Sequence, residues 1–382
     1  MPQRKLSPSH MPLDKGVNMT NRSTSYLRHF ALTMRCVLLI FIGLSGAMST
    51  THAQTRAYVS NSNDNTVSVI DTVTNTVIAN IPVDSPADVA ITPDGTRAYV
   101  VNSSDMVTVI DTATNTVIAT ILAGSHAAAI AFTPDSSTAY VTSFATSTVL
   151  VVETVTNTVI DTVLVGSAPL GVAVTPDGTR VYVVNDLSNT VSVIDTATNT
   201  VIATIPVGDL PFRVAITPDS TRAYVLNDRE GSVSVIDTAS NTVIATIPVD
   251  ANPKGLVVTP DGLRVYVTSF SNSTVSVIDT ATNTVIGTIP VGFLPNGIAI
   301  TPDGLRVYVV SFGNSALSVI DTTTNTVVAT IPVGAFPVAI AITPSTPKTK
   351  DDCKNGGYKK FGPPVGPFKS QGQCIKHVND SP

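Results

Sequence analysis

The sequence predicts an all-β fold, a seven-bladed β-propeller with four antiparallel strands per blade. Three observations carry the prediction. A unit of 40 to 42 residues recurs seven times between Ala57 and Pro344. Each unit holds four apolar runs parted by turn signals, the pattern of a propeller or related array. Val, Ile and Thr dominate these runs, little Leu is used, and the chain has no Trp. β-branched residues of this kind suit a pleated, packed surface.

The elements follow in order from one clean unit, Val181 to Arg222. A strand B such as Val181 to Asn185 leads to a Thr-Val-Ser-Val-Ile-Asp strand C, then to a Thr-Val-Ile-Ala-Thr-Ile strand D, then to an apolar strand A such as Arg213 to Thr217. Thr-Pro-Asp-Gly between A and B suits a type I turn, with Pro at the second position and Gly at the fourth. Between C and D, Asp195 closes the strand and Asn199 follows four residues later. Asp accepts turn amides there and Asn tolerates the left-handed region.

The same positions form rings. Asp71, Asp111, Glu153, Asp195, Asp237, Asp279 and Asp321 recur with Asn75, Asn115, Asn157, Asn199, Asn241, Asn283 and Asn325. A ring of carboxylates invites a metal or catalytic reading, but repetition in every unit assigns it to turn chemistry. The seven B-strand tyrosines, Tyr58 through Tyr308, are read as blade packing. The array starts at a strand B and finishes with a strand A (Val338 to Thr343), so the C-terminal strand A joins N-terminal strands B, C and D in the last blade. This closure hides sheet edges at the seam.

Three domains are expected: a leader and signal peptide over 1–53, the propeller over 54–345, and a linker with a basic tail over 346–382. The apolar run Val37 to Leu44 follows Arg28, His29 and Arg35 and precedes Thr51-His52-Ala53. That order reads as a secretory signal, with the run too short for an ordinary membrane span. Export to the periplasm, the cell surface or the medium is therefore expected, with no membrane span in the mature chain. Cys353 and Cys374 then remain as an even pair and are expected to form a disulfide. Residues 54–347 hold 9 Lys and Arg against 23 Asp and Glu, while 348–382 hold 7 Lys against 3 Asp. An acidic body argues against phosphate-backbone binding, so nucleic acid is not an expected partner.

Tyr-Val-x-Asn, Val-Ile-Asp-Thr-x-Thr-Asn-Thr-Val and Ile-Pro-Val-Gly resemble the YVTN family of β-propeller repeats over about three quarters of the chain. The resemblance implies a propeller and an exported or surface protein of the surface-layer or periplasmic type. It implies little about activity, because propellers host many unrelated functions. The tail from Cys353-Lys-Asn-Gly-Gly-Tyr to Cys374 resembles a two-cysteine segment that ends many exported bacterial proteins, with Tyr358 where Trp is usual.

Without the leader, only His126 and His377 and only Glu153 and Glu230 remain of their kinds, so histidine-based or metal chemistry is poorly supplied. No cofactor, metal or catalytic residue is expected. Candidate ligand contacts lie where the repeats disagree, in the D-to-A and B-to-C connections around the channel mouth. They are Asp186, Asp209, Arg213, Asp228, Arg229, Glu230 and Lys254 on blades three to five, with Asn252 beside them. Opposite stands an apolar arc of Phe270, Phe293, Phe312 and Phe336. At the position read as just ahead of strand A the ring runs Asp88, Ala129, Gly171, Arg213, Gly255, Gly297 and Ala339, a wide opening with one cation and one carboxylate. The leading expectation is a non-enzymatic, monomeric binding or cell-surface module for a protein, peptide or cell-envelope glycan. Two alternatives stand beside it: a lactonase- or lyase-like enzyme, and polyanion or nucleic-acid binding through the basic tail.

Overall fold

Runs of alternating β-branched residues bounded by Asp, Asn and Pro-Asp-Gly turns form strands and nothing longer, because each turn residue ends the ladder after six or seven positions. A computed structural model describes residues 55–345. The leader, Cys353, Cys374 and the basic tail lie outside the described residues.

Twenty-eight strands form seven four-stranded sheets, each ordered A-B-C-D from the channel outward. Blade 1 comprises Pro86–Ile91, Arg97–Asn102, Met106–Asp111 and Thr116–Leu122. Blades 2, 3 and 4 open on strands A at Ala127–Phe132, Pro169–Val174 and Pro211–Ile216, and blades 5 and 6 at Pro253–Val258 and Pro295–Ile300. Blade 7 joins Pro337–Ile342 to Arg56–Asn61, Thr66–Asp71 and Thr76–Pro82. The closing pair is antiparallel, with Ala57 opposite Ile342 and Val59 opposite Ile340. The predicted closure is therefore the observed one.

Turn chemistry is as the residues require. The Gly95 amide donates to the Thr92 carbonyl at 2.7 Å, and Gly95 takes φ 74°. Asp195 Oδ1 accepts the amides of Ala197 and Thr198 at 3.1 and 3.0 Å, and Asn199 takes φ 51°.

The core is divided into seven apolar clusters, one at each interface between neighbouring blades. Between blades 3 and 4, for example, Tyr182, Val184, Val193 and Ile205 meet Val214, Val225 and Ile236. All seven tyrosines are at most 1% exposed, and each carries a polar tip that must find a partner. Each finds the turn Asn of the next blade. Tyr58 donates to Asn115, Tyr99 to Asn157, Tyr140 to Asn199, Tyr182 to Asn241, Tyr224 to Asn283, Tyr266 to Asn325 and Tyr308 to Asn75, at 2.8 to 3.1 Å. Arg56, Arg97, Arg180, Arg222 and Arg264 reach the same neighbouring turns, donating to carbonyls of Thr112, Thr154, Thr238, Thr280 and Thr322. The rings read as separate turn and packing residues thus join blade to blade.

Candidate functional site

The mouth is assembled by one repeated hydrogen bond. In each blade the residue before strand A accepts, on its carbonyl, the amide of the first residue after strand B. Asp186 donates to Ala168, Asp228 to Leu210, Phe270 to Asn252 and Phe312 to Leu294, at 2.9 to 3.1 Å. This bond sets Asp186, Asp228, Phe270 and Phe312 at equivalent places on one ring. The accepting residues all have positive φ, including the bulky Leu210, Leu294 and Phe336 at 50°, 54° and 51°. Left-handed backbone at a bulky residue is strained, and the loop pairing holds it.

Strand A begins at Pro in six blades and at Ala127 in blade 2, earlier than the sequence suggests, so the ring read as preceding the strand is its third residue. In blade 4 the ladder pairs Pro211 with Asn227 and then Val214 with Val225. Phe212 and Arg213 fall in the resulting bulge, which releases them from the ladder and re-aims them. Arg213 forks onto Asp88 of blade 1, Nη1 to Oδ2 at 3.1 Å and Nη2 to Oδ1 at 3.2 Å. Blades 1 and 4 stand on opposite sides of a seven-membered ring, so the pair crosses the channel. The expected wide opening is corrected: cation and carboxylate bridge it. The Arg side chain is 29% exposed and the Asp 11%, a bidentate pair shielded enough to hold its geometry.

The charged residues of blades 3 to 5 are also brought into pairs. Lys254 Nζ donates to Asp228 Oδ2 at 2.6 Å and stands 4.9 Å from the Phe212 ring centre. Arg213 flanks the same ring at 5.6 Å. Phe212 thus carries two cations on its π-system, a contact that the ring's quadrupole favours. Arg229 pairs with Asp209 at 3.2 Å in a more exposed position, and Glu230 folds over Gly208. Asp186 forms no ion pair among the described residues. Its pKa is raised by burial and by the charge of Asp228, against the opposing pull of Lys254.

Of the aromatic residues, Phe312 stacks on Phe336 with centroids 4.8 Å apart, and Phe270 tilts against Phe312 at 6.4 Å. Phe293 makes no ring contact with them among the described residues and lies against Gly313, with its amide donating to Asn314 Oδ1 at 2.5 Å. Sequence reasoning missed Phe212 and Phe144. Phe212 sits one residue before Arg213 in the unequal part of strand A, where Ala87, Ala128, Leu170, Lys254, Asn296 and Val338 stand in the other blades. Phe144 follows strand B like Asp186 and Phe270, and donates its amide to His126 at 2.9 Å.

No protein-family model and no curated protein matches the chain. Solved structures do. The Kuenenia stuttgartiensis hydrazine synthase is 26% identical with a TM-score of 0.62, covering 67% of this chain and 89% of that one. A protein of Desulfotomaculum acetoxidans is 21% identical with a TM-score of 0.68, covering 75% and 98%. A 6-phosphogluconolactonase-like protein of Bacteroides uniformis is 14% identical with a TM-score of 0.67, covering 76% and 100%. The last two show a shared fold. The likeness to the hydrazine synthase overturns the expectation of a non-enzymatic binding or cell-surface module. That protein is named as an enzyme, and the enzyme alternative is the better supported reading.

Proposed function

We propose that this propeller is an enzyme of the lactonase or lyase kind, working at the charged half of its channel mouth. The observation that carries the reading is Asp186, a carboxyl without an ion-pair partner among the described residues and held above its ordinary value beside the Asp228–Lys254 ion pair. A carboxyl so placed exchanges a proton at milder pH than a free aspartate, as a general base or acid must. Lys254 and Arg213 stand by to stabilise negative charge on a substrate oxygen. In ring opening, Asp186 takes a proton from water, the water oxygen adds to the acyl carbon, the ring C–O bond breaks, and the departing oxygen takes the proton back. The hydrazine synthase supports an enzyme on this scaffold, and the 6-phosphogluconolactonase-like neighbour is named in the lactonase class.

The YVTN-type assignment and an exported location belong to the same proposal, supported by the repeated motifs and the leader composition. The test is a panel of sugar lactones and small cyclic esters followed by pH-stat, with elimination read by absorbance of a new double bond. Turnover should fall about 100-fold in Asp186→Asn, the size typical for loss of a positioned acid or base. A purified, folded chain that neither opens a ring nor forms a double bond above the buffer rate would overturn the reading.

A further inference from the structure

The outer rim offers a seven-fold internal comparison that the channel chemistry leaves unused. Every blade ends in a strand D whose outer edge faces away from its sheet, a liability that proteins blunt with Pro, charge or a bulge. Each strand D here carries a bulge near its start, as at Ile118 in blade 1. Five strands then end in Pro: Pro82, Pro206, Pro248, Pro290 and Pro332. The residue after each Pro donates its amide inward, as Val83 does to Asn65 at 3.0 Å. By the alternation of an antiparallel ladder, the Pro position faces outward, where its missing N–H removes an edge donor. Blade 2 ends in Leu164 but holds Asp161 in mid-strand.

Blade 1 has neither guard. Its strand D, Thr116–Leu122, reads Thr-Val-Ile-Ala-Thr-Ile-Leu, and Leu122 is 70% exposed. Ala123 donates inward to Asp105 at 2.9 Å, so Leu122, and Thr120 two residues before it, turn both main-chain groups outward.

The geometry points to this edge as an interface that takes a second copy of the same chain. With a two-fold axis at Ile121, Thr120 of one copy faces Leu122 of the other, and each such pair exchanges both N–H···O bonds, four bonds in all. Ile118 and Leu122 lie on the same exposed face as Thr120, so Leu122 of one copy has Ile118 of the other as its diagonal neighbour. The strand is uncharged, so the antiparallel copy brings no like charges together along it, whereas blade 2 would bring one Asp161 from each copy to the join. An isologous pair of this kind is closed, which fits the commonest symmetry of soluble oligomers.

Sedimentation velocity of the full chain over a range of concentrations tests the assignment. The expected result is a mass that doubles as concentration rises. Leu122→Pro, the residue of five sister strands, should return the monomer with unchanged circular dichroism, and Ala119→Asp, which copies the guard of blade 2, should do the same. Leu164→Pro should leave the dimer intact. A monomer at every concentration, or a dimer that survives both Leu122→Pro and Ala119→Asp, would overturn the inference.

Discussion

The Tyr308 hydroxyl donates to Asn75 Oδ1 at 2.8 Å, across 233 residues of sequence and across the seam where the ring closes. The same hydroxyl also reaches the Thr72 carbonyl at 3.1 Å. Tyr308 is fully buried in blade 6, and Asn75 belongs to the N-terminal part of blade 7. The contact therefore forms only when the C-terminal blades have come round to the first.

Tyr308→Phe keeps the packed ring and removes that bond. It should lower stability by about 1 kcal/mol, the usual net worth of a buried hydrogen bond. Tyr182→Phe, which breaks the equivalent bond to Asn241, should cost a similar amount. Urea unfolding of both variants checks the match.

Ending the chain after Phe336 deletes strand Pro337–Ile342 and leaves Arg56–Asn61 as a bare edge. Ala339 and Ile340 also leave their interblade clusters. The truncated chain should lose its single cooperative transition and show a shallower denaturant slope.

The phenols of Tyr140 and Tyr308 are pushed up to about 12, first by burial. A raised value stabilises the fold fully below the unfolded value of 10.0, and the gain is lost as pH rises toward the folded value. On the acid side, the Thr114 and Thr217 hydroxyls hold Asp111 and Asp219 below their ordinary 3.8, a gain present above that value and lost as pH falls through the folded one. Melting temperature against pH should thus be flat between about 5 and 9 and fall beyond about 10.

Arg213→Ala leaves Asp88 in the channel without its fork. The loss should be about 1–3 kcal/mol, discounted from a fully buried pair because the guanidinium is 29% exposed. Arg213→Ala combined with Asp88→Ala should recover part of it. A double-mutant cycle by thermal unfolding measures the coupling.

Gly171→Ala would place a Cβ 2.8 Å from both Arg213 Cα and the Phe212 carbonyl. It should displace the bulge that aims Arg213 and cost about 1–3 kcal/mol, the range of overpacking. Ring-opening activity should drop with it, while Gly287→Ala, on open ground, leaves activity unchanged.

By itself the sequence determined the blade count, the strand types, the turns and the closing strand, because short-range sterics and the two-residue pleat encode these in each repeat. Asp195 and Asn199, four residues apart, were legible for that reason. Tertiary structure alone decided which rings touch: Tyr182 meets Asn241 and Arg213 meets Asp88 through the angle at which seven blades close. The strand-A bulge that re-aims Phe212 and Arg213 has no local signal, since the same ladder runs through Gly171 and Gly255 in blades 3 and 5. Repetition sets each blade, and only closure of the ring sets what one blade presents to another.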